Sequence, residues 1–67
     1  MNGKKYKVRV LKPTKGADLE IWHENLTYYS AVDLFKFYVD AVLEFNLEVR
    51  CINIFSGKRC IKLFQNH

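Results

Sequence analysis

The chain has 67 residues, with eleven Lys and Arg against seven Asp and Glu and a formal charge of +4 at pH 7. An apolar share of 49% excludes a disordered chain, and three glycines and one proline exclude collagen-like and linker-like architectures. No apolar run approaches the ~20 residues needed to cross a bilayer. The basic start, Met1-Asn2-Gly3-Lys4-Lys5-Tyr6-Lys7, leads into no apolar stretch of the secretory kind. These features predict one small α+β domain over residues 1–67, cytoplasmic and without a membrane partner.

A chain this short buries only about 60% of its unfolded surface, so it leans on dense packing, a cross-link, a metal or self-association. Cys51 and Cys60 are the only covalent option, and they show no Cys-x-x-Cys spacing. Outside a secretory context they read as free thiols. Five Phe, four Tyr and one Trp fit a dense core instead.

In Lys5-Tyr6-Lys7-Val8-Arg9-Val10-Leu11, apolar residues at 6, 8 and 10 alternate with bases at 5, 7 and 9. That is a strand with one face in the core and one in water. Lys12-Pro13-Thr14-Lys15-Gly16 carries the turn. Asp18-Leu19-Glu20-Ile21-Trp22-His23-Glu24 alternates again, with Leu19 and Ile21 on the core side. Matching core faces sets Val10 opposite Leu19 and Val8 opposite Ile21. The same register sets Arg9 opposite Glu20 and Lys7 opposite Trp22, both favourable cross-strand pairs.

Ser30-Ala31-Val32-Asp33 reads as a helix N-terminus, with Ser30 as the cap and an acid at the third helical position. Ala31, Leu34, Phe35, Tyr38, Ala41, Val42 and Phe45 recur at three- and four-residue steps and predict a core stripe over a helix spanning 30–45. Asn46 suits the left-handed residue that ends it. Phe37 falls among Asp33, Asp40 and Glu44 on the polar side, while Val32, Val39 and Leu43 border the stripe.

Residues 47–55 and 58–64 are rich in strand formers, and Ser56-Gly57 supplies a turn between them. A two-residue turn sets Ile52, Ile54, Ile61 and Leu63 on the core face. Val49, Cys51, Asn53, Phe55, Lys58, Cys60, Lys62 and Phe64 then share the other, and a three-residue turn would scramble this facing. The order is ββαββ. The favoured assembly is a four-stranded, mainly antiparallel sheet of order 2-1-3-4 with the helix packed on one face, 2-1-4-3 being the alternative.

Charge is segregated along the chain. Residues 1–16 carry six bases and no acid, 17–48 seven acids and one Lys, and 49–67 four bases and no acid. On this fold the sheet face away from the helix shows Lys5, Lys7, Arg9, Lys58 and Lys62 among Trp22, Phe55 and Phe64. Positive charge for phosphate beside flat rings for bases is the chemistry of single-stranded nucleic-acid platforms. Asp18 and Glu20 on the same face oppose it, and Lys-rich strand surfaces also serve to block edge pairing.

Two function classes follow. The first is a non-enzymatic nucleic-acid-binding protein, with Lys5, Lys7, Arg9, Lys58 and Lys62 neutralising phosphate and Trp22 and Phe55 stacking. The second is a protein-binding modulator or inhibitor, an accessory factor of the mobile-element type. It would act through a sheet edge or through the helix surface at Phe37, Val39 and Leu43, including as a homodimer. No metal is expected, because Cys51, Cys60, His23 and His67 lack the paired spacing of structural zinc sites. No cofactor or catalytic group is expected either. The glycines are scattered at 3, 16 and 57, and His23 and Glu24 point to opposite faces of a strand.

Overall fold

The computed structural model describes residues 5–66. Strand β1 (Tyr6–Pro13) is followed by β2 (Asp18–Leu26), helix α1 (Tyr28–Phe45), β3 (Cys51–Ser56) and β4 (Arg59–Gln65). The four strands form one antiparallel sheet of order β2-β1-β3-β4, and α1 packs on one face. This is the expected ββαββ arrangement. Among the described residues no helix is long and apolar enough to cross a membrane.

The core lies between α1 and the central strands. Val8 and Val10 of β1 and Ile52 and Ile54 of β3 are fully buried, against Ala31, Phe35 and Val42 of the helix. Tyr6, Ile21, Leu34, Tyr38 and Phe64 pack around them. The edges are less covered. Leu19, Ile61 and Leu63, all expected in the core, are exposed, as is Phe45 at 78%. Phe45 lies on the last turn of the helix, at one end of the core stripe.

The β1–β2 register differs by two residues from the sequence expectation. Val10 pairs with Ile21, Val8 with His23 and Arg9 with Trp22. The cause is the turn, which uses four residues between Pro13 and Asp18 rather than two. Gly16 takes φ +88° in it, and the Thr14 hydroxyl donates to the Ala17 carbonyl. A shift by an even number keeps every side chain on its face, so the core prediction for Val8, Val10 and Ile21 survives.

Helix α1 begins two residues earlier than expected. Thr27, not Ser30, is the N-cap, and its Oγ1 accepts from the Ser30 backbone N–H at 3.1 Å. Asn46 closes the other end with φ 58°, and the Leu47 N–H reaches back to the Ala41 carbonyl at 3.1 Å. The Asn46 N–H turns to the same carbonyl, so the left-handed residue closes the helix by folding two amides back onto Ala41. Residues 47–50 are not strand, and Val49 is buried rather than on the open face.

The second hairpin turns at Gly57-Lys58, with Gly57 at φ +63°. Glycine at the first central position fits a type II′ turn. Phe55 pairs with Cys60, as a two-residue turn demands. The next pair is Ile54 with Lys62, so Ile61 is an extra residue in β4. This bulge exchanges the faces of everything beyond it. Phe64 turns to the core and Leu63 to the open face, the reverse of the sequence expectation. Lys62 moves with Phe64 to the helix side.

Candidate functional site

The open face of the sheet carries Lys7, Arg9 and Leu11 from β1, Glu20, Trp22 and Glu24 from β2, Cys51, Asn53 and Phe55 from β3, and Cys60 and Leu63 from β4. Arg9 is its centre. The guanidinium donates to Asn53 Oδ1 from Nε and Nη2, at 3.2 and 3.0 Å, and to Glu20 Oε2 from Nη1 at 3.4 Å. It also lies 5.9 Å from the Trp22 ring centre and 5.7 Å from that of Phe55. The two rings are 5.6 Å apart, tilted by 34°.

The sequence reading therefore placed Arg9, Trp22 and Phe55 together correctly. What it missed is that their chemistry is turned inward. Glu20 holds Arg9 on one oxygen and the Trp22 indole N–H on the other, at 3.4 Å each. Lys7 lies 4.0 Å from Glu24, and Arg50 at the corner donates to Asp18 at 2.8 Å. That hydrogen bond, and then the charge on Asp18, raise the pKa of Arg50 above its ordinary value. The acids of β2 thus face the bases of β1 and of the loop before β3, and this face sums to neutrality.

Unpaired positive charge lies elsewhere. Among the described residues Lys5, Lys12, Lys15, Lys36, Lys58, Arg59 and Lys62 have no carboxylate within 4 Å, Lys12 and Lys15 standing apart at the β1–β2 turn. Lys5 precedes Tyr6, which pairs with Ser56, and Ser56 pairs with Arg59, so Lys5, Lys58 and Arg59 gather at one end of the sheet. Lys62, carried to the helix side by the bulge, sets its ammonium 5.7 Å from the Phe35 ring centre. Tyr38 reaches over to His23 of β2, with 2.9 Å between its hydroxyl and Nε2. At 100° per residue, Lys36 lies on the opposite flank of α1, towards β4. The result is a mainly basic flank from the β3–β4 turn along the α1–β4 edge, with Asp40 one helical turn on from Lys36 as its acid. Tyr28 and Tyr29 are exposed on the first helical turn, with Tyr28 edge-on to Tyr6 at 5.5 Å and Tyr29 edge-on to Tyr28 at 5.6 Å.

Of the helix residues singled out from sequence, Phe37 and Leu43 are exposed, Phe37 at 65%. Val39 is not; it packs against the core. Phe37 lies on the back of the helix, edge-on to Tyr38 at 5.7 Å. Cys51 and Cys60 are free thiols on either side of Asn53, whose Nδ2 donates to Cys60 Sγ at 3.5 Å. Among the described residues no three His, Cys, Asp or Glu side chains gather to hold a metal. His67 lies outside the described residues. No known family, curated protein or solved structure matches this chain.

Proposed function

We propose that this is a nucleic-acid-binding protein that meets single-stranded phosphate through the basic flank rather than through the open sheet face. One observation carries the reading. The bases of the open face have carboxylate partners, whereas Lys5, Lys36, Lys58, Arg59 and Lys62 share a flank and have none among the described residues. A paired cation must lose its partner before it can take a phosphate, so the unpaired group is where counterion release favours binding. Tyr28 and Tyr29 offer π-faces beside it, and base stacking on such rings contributes about 1–3 kcal/mol. Lys5, Lys58 and Lys62 keep the role expected of them. Lys7, Arg9, Trp22 and Phe55 are set aside.

Titrating labelled single- and double-stranded DNA and RNA at several salt concentrations tests this. Four or five phosphate contacts give a log–log slope of roughly −3 to −4 for single strands. Binding should leave Trp22 emission unchanged, because Trp22 lies on the other side of the sheet. Affinity no greater than that of a random basic peptide of equal charge sinks the reading.

The exposure of Phe37 among Asp33, Asp40 and Glu44 favours a second reading, a protein partner that presents basic residues around an apolar pocket. It predicts no oligonucleotide binding at physiological salt.

A further inference from the structure

We infer that the open face of the sheet is a self-pairing surface, and that two copies of the chain associate through it, sheet on sheet. Three observations converge on a second copy as the occupant. The first is uncovered apolar surface. α1 covers only one face of the sheet, and the other presents Trp22 at 41% exposure, Leu63 at 53%, and half-buried Phe55 and Leu11. Trp22 and Phe55 packed over Arg9 are residue types enriched at interface hot spots.

The second is charge. The molecule carries +4, which drives copies apart, yet this face sums to neutrality. Its cations, Lys7 and Arg9, stand in one strand and its anions, Glu20 and Glu24, in the next. A surface with adjacent columns of both signs complements itself under a two-fold axis, as isologous pairing requires. A purely acidic or basic partner gains no such match.

The third is the cost of covering the polar centre. Arg9, Asn53 and Glu20 already satisfy one another within one copy, and the Arg9 side chain is three-quarters shielded, at 26% exposure. Burying what remains leaves no unpaired charge, which is the condition under which a covered ion pair is tolerated. Four strands about 4.8 Å apart and six residues long outline a footprint of roughly 400 Å² per copy. Two such footprints fall below the standard size for a protein interface, so the dimer is a weak, transient one.

This association is independent of nucleic-acid binding, since its apolar residues lie on the open face, whereas the basic flank follows the β3–β4 turn and the α1–β4 edge. Sedimentation equilibrium from about 5 to about 500 μM, with Trp22 emission followed over the same series, tests it. Mass rises from monomer to dimer, and Trp22 emission shifts to the blue with the same midpoint, a readout that needs no variant. Trp22→Asp and Leu63→Asp, both at exposed positions and checked for parent-like circular dichroism, weaken the dimer at least tenfold. Phe45→Asp, on the helix, leaves it unchanged. A monomer throughout the series overturns the inference. A dimer that forms without a Trp22 shift, or that Phe45→Asp abolishes, overturns it equally.

Discussion

Arg9 and Asn53 are 44 residues apart in the chain, yet two nitrogens of the one guanidinium converge on the single Oδ1 of the other. Asn53 is the one buried polar residue among those described, at 6% exposure on the open face, and its amide nitrogen is used as well, donating to Cys60. The contact ties β1 to β3 from the side away from the helix, where no apolar layer holds them.

Asn53→Ala should therefore lower stability by about 2 kcal/mol, in the range for a hydrogen bond to a charged group. Arg9→Met should cost less on the Asn53→Ala background than on the parent, since the two share the interaction. A double-mutant cycle by urea denaturation checks both, and strict additivity would uncouple the pair.

Phe35 and Phe45 lie on one helix and differ only in what covers them. Phe35→Ala should cost about 3–5 kcal/mol, most of the stability of a domain this small. Phe45→Ala should fall within about 0.5 kcal/mol of the parent. Equal losses at the two positions in chemical denaturation would contradict their difference in burial.

The cap assignment predicts an asymmetry between two hydroxyls. Thr27→Ala removes the acceptor for the Ser30 N–H and should cost about 1 kcal/mol, a drop in Tm of about 4–8 °C for a domain of this size. Ser30→Ala, at the third helical position, should change Tm by less. The reverse order in a thermal melt would return the cap to Ser30.

On the basic flank, Lys58→Gln and Arg59→Gln should each make the salt slope of oligonucleotide binding shallower by about 0.7. Lys7→Gln should leave the slope unaltered. A slope that responds to Lys7 and not to Arg59 would move the contact back to the open face.

The architecture was legible in the sequence because alternation and three-four spacing are long-range signals that each element repeats. Val8, Val10, Ile52, Ile54 and Phe35 each had several neighbours in phase with them. The misplacements trace to local features that repeat nowhere else in the chain: one bulge, one turn length and the choice between two caps. A bulge at Ile61 leaves no mark in a period-two pattern, since Lys-Leu-Phe alternates equally well with either facing. Thr27 and Ser30 are both good caps, and Tyr28 and Tyr29 between them suit strand or helix. The site was half legible. The gathering of Arg9, Trp22 and Phe55 followed from strand parity, but the pairing of bases with acids depended on how far the β1–β2 hairpin slides, which only the turn decides.

Both irregularities in the sheet, at Asn25 with φ 61° in β2 and at Ile61 in β4, fall on the two outermost strands. An outermost strand exposes a row of free N–H and C=O groups, and a regular one would template the addition of further strands without limit. An extra residue throws that row out of step partway along, so an incoming strand can pair with a few residues and no more. Deleting Ile61 should restore an unbroken hydrogen-bonding rim. The shortened chain would then be prone to fibril growth, as followed by thioflavin fluorescence and a 4.7–4.8 Å cross-β reflection.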